Sequence, residues 1–201
     1  MKKTKVILLC VLAAITYGVI HDEITAHLCV EYFTVGHPPL FHTESPTVLG
    51  FCWGIAATIG IGGVLGAILA EVSQSTGQPP VPIPRLFHCL LILLATMALA
   101  ACVAGLLGYE LSSRSIISIP ITLAYRISPG RHDQFMAVWF AHGASCLVGL
   151  TGSAILVLRL WRERGKPRVL ALVPRSPLAI ARALILAGVV VFIYYLRFGR
   201  S

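Results

Sequence analysis

Charge is scarce in this sequence. Of 201 residues, 12% are charged and 57% are hydrophobic, whereas a soluble globular domain carries roughly 25% charged residues. A water-soluble fold of this length could not hide so much apolar surface, which leaves lipid as the solvent for most of the chain. Paired cysteines are missing too. Cys10, Cys29, Cys52, Cys89, Cys102 and Cys146 contain no C-x-x-C, so a zinc knuckle or a thioredoxin-like redox centre has no support. There is no Gly-rich phosphate loop and no H-E-x-x-H, the motifs that would point to nucleotide or metalloprotease chemistry. The net charge of +8 sits beside apolar runs without interleaved aromatics, which argues for orientation in a membrane and against nucleic acid as a partner.

Five apolar runs are present: Val6–Ile20, Val48–Val72, Leu86–Gly108, Phe135–Leu158 and Leu178–Leu196. The middle three are long enough for a hydrocarbon layer of ~30 Å at ~1.5 Å per residue. The expected fold is an all-α integral membrane bundle of about five transmembrane helices in a single domain, 1–201. Helices are expected near 6–20 (with an extension to 33 allowed), 48–72, 86–108, 134–158 and 178–196. The first run follows Met1-Lys2-Lys3-Thr4-Lys5, and Thr16-Tyr17-Gly18 is a small-x-small site. Both fit a signal peptide, whose cleavage would leave four helices. Cys10, Cys89, Cys102 and Cys146 fall in apolar runs as packing residues. Cys29 and Cys52 both fall near one surface, where a disulfide is conceivable.

Lys and Arg near helix ends set the orientation. With the N-terminus inside, eleven of the sixteen lie inside: Lys2, Lys3, Lys5, Arg85, Arg159, Arg162, Arg164, Lys166, Arg168, Arg175 and Arg182. The stretch His21–Thr47 has none. This predicts a multi-pass protein of a bacterial inner (cell) membrane with a cytoplasmic N-terminus. Ser45-Pro46 and Ser176-Pro177 read as helix starts, since Ser caps free N–H groups and Pro suits the first helical position. Asp133 suits the start of the fourth helix. Gln78-Pro79-Pro80-Val81-Pro82-Ile83-Pro84 is not expected to be helical and reads as a short polyproline connector. Ile116–Ile121 is an apolar stretch expected to lie along the interface or to fold over the bundle.

Small residues recur every four positions in the second run, at Gly50, Gly54, Thr58, Gly62 and Gly66, and in the fourth, at Ala141, Ser145, Gly149 and Ser153. Such stripes let backbones approach in lipid. They predict that the second and fourth helices pack closely, and they would equally serve a homo-oligomer or other membrane proteins. Gly62-Gly63 could instead mark a broken helix of the kind found in transporters.

The N-in orientation gathers six of the seven histidines and six of the eight carboxylates in the outer half. His21, His27, His37, His42, His132 and His142 stand with Asp22, Glu23, Glu31, Glu44, Glu110 and Asp133. Such a set can bind a divalent metal ion or relay protons. If the first helix runs past Ile20, Glu23, His27 and Glu31 share one face. The plain alternative is a solvated polar turn. His142 lies deep in Val138-Trp139-Phe140-Ala141-His142-Gly143-Ala144-Ser145, where an ionisable group needs a polar partner. His21 and Asp22 are the expected partners, and a simple backbone hydrogen bond would also satisfy it. A haem ligand would need a second His at matching depth. Gly143-Ala144-Ser145 resembles the G-x-S-G motif of rhomboid proteases, but Cys146 replaces the last Gly and the fifth run has no His.

His21-Asp22-Glu23-Ile24-Thr25, then Glu31-Tyr32-Phe33-Thr34, and later Ala141-His142-Gly143-Ala144-Ser145 resemble a group of uncharacterised bacterial multi-pass membrane proteins carrying H-D-x-x-T, E-Y-F-T and A-H-x-x-S. This chain has Cys146 where that group has Tyr. The resemblance spans about thirty residues and implies a bacterial membrane location but no reaction. The sequence thus points to an extracytoplasmic-side pocket for a metal ion or small polar ligand. Its candidate residues are His21, Asp22, His27, Glu31, Asp133 and His142. A structural or assembly subunit is the alternative, and a metal-dependent membrane hydrolase or small transporter the next.

Overall fold

A computed structural model describes residues 3–74 and 80–164. The fifth apolar run, near 178–196, lies outside the described residues, as do the basic residues Lys166, Arg168, Arg175 and Arg182. Within them the chain is helical: α1 Lys3–Leu28, α2 Glu31–Thr34, α3 Pro46–Ser73, α4 Ile83–Ser113, α5 Ile121–Ala124 and α6 His132–Arg164, the last entered through a 3₁₀ turn at Pro129–Arg131. Four of these helices are long and apolar enough to cross a membrane. Outward-facing side chains such as Leu106 (71% exposed) and Leu12 (62% exposed) would be costly in water and suit lipid.

Local chemistry explains the helix ends. Ser45 is extended at the N-cap of α3, its Oγ accepts from Val48 N–H at 3.5 Å, and Pro46 follows it. Pro82 stays extended, but α4 begins at Ile83-Pro84, so the expected polyproline connector ends two residues early; a Pro in the first helical turn loses no hydrogen bond, because its missing N–H is not needed there. Between them Val81 N–H donates to Ser73 O at 3.0 Å, closing the base of the α3–α4 connection. Asp133, in the first turn of α6, accepts from Ser112 Oγ at 2.6 Å. That bond ties the start of α6 to the end of α4.

The bundle is built from two helix pairs, α1 with α3 and α4 with α6. α3 does not spend its small-residue stripe on α6. A Cβ added at Gly50 would lie 2.8 Å from Glu23 Cα, at Gly54 2.6 Å from Val19 Cα, at Gly62 2.9 Å from Val11 Cα and at Gly66 2.8 Å from Ile7 Cα. All four contacts are with the backbone of α1. On α6, Gly149 meets Met97 and Gly152 meets Leu93, both on α4, while Gly108 of α4 lies against Met136 and Phe140. The expected close packing of the second and fourth runs is therefore replaced by α1–α3 and α4–α6, with α3 and α6 meeting over a shorter stretch. The reason lies in α1, which has its own row of small residues at Cys10, Ala14 and Gly18. Chain-adjacent antiparallel helices are also the easiest to pair.

Each pair is clamped at one end by an ion pair, Lys3–Glu71 at 2.6 Å and Arg85–Glu163 at 2.6 Å. At the other end the connections fold inward. Ile119, Leu123 and Ile127 join Ala26, Tyr32, Phe33, Leu49 and Phe135 in one apolar cluster. The Ile116–Ile121 stretch thus leads into a cap over the bundle.

Candidate functional site

α1 and α6 share few backbone contacts, yet polar side chains line the seam between them. Tyr17, His21 and Thr25 follow one another at helical spacing on α1, with Asp22 beside them. His142 and Ser145 face them from α6. Tyr17 Oη and Ser145 Oγ are 2.7 Å apart. His142 Nε2 is 3.2 Å from Asp22 Oδ1, and both side chains are mostly buried. The His21 and His142 rings lie 4.5 Å apart in an edge-on arrangement, and Tyr17 stacks on His21.

Hydrogen bonding fixes the orientation of the His142 ring. His142 Nδ1 is 3.0 Å from Val138 O, so that nitrogen carries hydrogen and donates to the carbonyl. Its Nε2 then faces the Asp22 carboxylate oxygen. His21 Nε2 is buried with no hydrogen-bond partner among the described residues. An orphaned buried acceptor or donor costs about 1–3 kcal/mol, and a ligand would remove that cost. One ligand atom from each of His21, Asp22 and His142 lies within 4.8 Å of the others. Two imidazoles and a carboxylate form a donor set suited to a divalent transition metal. Donors at ~2.1 Å from one metal lie at most ~4.2 Å apart, so a small side-chain rotation would close the set. The Val138 carbonyl already orients His142 with Nε2 inward, as an outer partner of a metal-bound His does.

The remaining sequence candidates lie elsewhere. α1 ends at Leu28, so the Glu23–His27–Glu31 stripe stops at His27. There His27 Nδ1 lies 2.8 Å from Glu23 O and Nε2 3.3 Å from Thr47 Oγ1. Glu31, on α2, takes Arg131 as its partner at 3.2 Å, while Arg131 also donates to Leu28 O. Burial works against ionisation of Glu31, but its own backbone N–H, Arg131 and Cys29 outweigh this and hold its carboxyl below the ordinary range. Asp133 is bonded to Ser112. Cys29 and Cys52 are both free thiols, and Cys29 Sγ donates to Glu31 at 3.3 Å. Burial and then Glu31 push that thiol up to about 12.

Three contributors were missed as site residues. Tyr17 was legible at i−4 from His21, and Ser145 stood out for packing. His37 had no helical register to announce it. His37 Nδ1 donates to Tyr32 O at 2.8 Å, and its ring stacks on Phe33 and meets Trp53. Tyr32 and Phe33 in turn lie against His142, at ring distances of 4.5 and 5.7 Å. An aromatic layer thus roofs the His/Asp group. Burial drives His37 down to about 4, aided by His142 and opposed by the Tyr32 carbonyl and Asp22. Comparison with family models, with curated proteins and with solved structures finds no match for this chain.

Proposed function

We propose that this membrane-spanning helical protein binds a divalent transition-metal ion through His21 Nε2, His142 Nε2 and an Asp22 carboxylate oxygen. The unpartnered, buried His21 Nε2 beside the Asp22–His142 pair carries this reading. Of the three candidate ligand residues, His21 is the one with a buried nitrogen left without a hydrogen bond among the described residues. Metal binding needs its imidazole nitrogens and carboxylate free of protons, so affinity rises with pH. The site lies in the extracytoplasmic half of a bacterial inner-membrane protein. The absence of Lys and Arg from His21–Thr47 supports that orientation, and the resemblance to bacterial multi-pass proteins supports the location.

Metal analysis of full-length purified protein tests the reading, with His142→Ala and Asp22→Asn as comparisons. Near-stoichiometric metal is expected in wild type, with at least about tenfold weaker retention in each variant. Wild-type protein that neither retains nor takes up Zn, Fe or Mn ions removes the proposal. The rival assembly-subunit reading draws less support, because Gly54 and Gly62 are consumed by α1 within the chain.

A further inference from the structure

A concave region adjoins the aromatic roof. A cavity of about 440 Å³ is lined by Phe33, Phe41, Trp53, Pro39, His42 and Glu44, among others. Its size falls in the range of small-molecule sites. The Phe41 and Trp53 rings meet edge to face, 5.4 Å apart, and Phe33 is 2% exposed. Aromatic residues at a helix end are common in membrane proteins as an interfacial belt. A belt faces headgroups, however, whereas these rings border a concave space together with a carboxylate. Glu44 makes no ion pair or hydrogen bond among the described residues. No Lys or Arg occurs between Val6 and Pro84, so α3 and the connection that leads into it hold no Lys or Arg to neutralise it. Arg131 is already engaged by Glu31.

Aromatic faces attract cations through their quadrupoles, most effectively where the cation is weakly hydrated and large. A carboxylate at the rim adds charge complementarity and disfavours anions. We infer that this cavity binds a small alkylated ammonium ion of the trimethylammonium type. The ion could be carried by a soluble amine or by a choline headgroup of a lipid, since the cavity adjoins the N-terminal end of membrane-spanning α3. The inference uses residues separate from the His/Asp group and stands whether or not that group holds metal.

Full-length protein in a maltoside detergent is titrated with tetramethylammonium, using calorimetry and tryptophan fluorescence. Neopentyl alcohol serves as an uncharged probe of similar shape. Saturable binding of the cation is expected, with the alcohol at least about tenfold weaker. Glu44→Gln should weaken cation binding several-fold, and Trp53→Leu should abolish it. Phe41→Leu gives the same readout if Trp53→Leu does not fold. Competition by phosphatidylcholine but not phosphatidylglycerol nanodiscs identifies the lipid headgroup as the source, while lack of competition identifies a soluble amine. Equal affinity for neopentyl alcohol, or wild-type affinity in folded Glu44→Gln and Phe41→Leu, overturns the inference, as does an absence of saturable binding to folded wild type.

Discussion

Helix α1 is held by two seams of opposite character. Against α3 it makes a dry seam, with backbones brought together at Gly18, Gly50, Gly54, Gly62 and Gly66. Against α6 it makes a polar seam, where Tyr17, His21 and Asp22 meet Ser145 and His142. In lipid the hydrophobic effect does not drive helices together, so the dry seam depends on close van der Waals fit. The polar seam has less contact but contains groups that are costly to leave unpaired in hydrocarbon. One helix thus separates two tasks. Its α3 face fixes its position, and its α6 face can afford an unsatisfied nitrogen because the other face holds the helix in place.

The largest expected effect comes from breaking the dry seam. Gly54→Leu forces side-chain atoms into the α1 backbone, and we expect destabilisation of about 3 kcal/mol or more, read as loss of folded protein in detergent melts. Gly60, one and a half turns on, has nothing within 4 Å of an added Cβ. Gly60→Ala should leave stability unchanged or raise it by up to about 1 kcal/mol. If both variants melt alike, the assignment of the stripe to α1 is wrong.

A middle-sized effect should come from the roof over the polar seam. His37 ionises at about 4 in the folded protein, against an ordinary value of 6.5. Between those values the unfolded chain takes up a proton that the folded chain refuses, so stability must fall as pH drops from 6.5 towards 4. Glu31, held below its ordinary value of 4.5, adds a further loss below that pH as its contact with Arg131 is neutralised. Melting temperature against pH should therefore be flatter in His37→Phe than in wild type between pH 6.5 and 4. An unchanged slope would show that His37 is not shielded from water.

The smallest effect sharpens the contrast. Tyr17→Phe deletes the hydroxyl bonded to Ser145 and keeps the ring on His21. It should cost about 0.5–1.5 kcal/mol, well short of Gly54→Leu, and equilibrium unfolding in mixed micelles would measure the difference. A cost as large as that of the glycine change would mean that the polar seam, too, carries the fold.

Much of this architecture could be read before any coordinates. The spans at Pro46–Ser73 and Ile83–Ser113 follow from apolar length, and the Ser45-Pro46 start follows from capping chemistry. The depth of His142 and the nearness of His21 and Asp22 as partners were legible because an ionisable group in an apolar run demands company. The grouping of His27, Glu31 and Asp133 with them was not, since each found a local partner in Glu23 and Thr47, in Arg131, or in Ser112. Short polar side chains near helix ends have many ways to be satisfied, and spacing does not choose among them. The partner of the glycine stripe was misassigned because a stripe marks a face that permits close approach without naming which helix approaches.

The amino-acid order by itself determined that lipid is the solvent, that the elements are helices, and that one end of the bundle collects imidazoles and carboxylates. Those properties depend on composition and on spacing along the chain. Only the tertiary structure decided that α1 takes the stripe of α3, that three polar residues converge while three others disperse, and that aromatic side chains from the 31–53 region cover the His/Asp group and line the cavity beside it. Those outcomes depend on which surfaces fit at ångström range, and fit between distant segments is a property of pairs of helices that no single segment encodes.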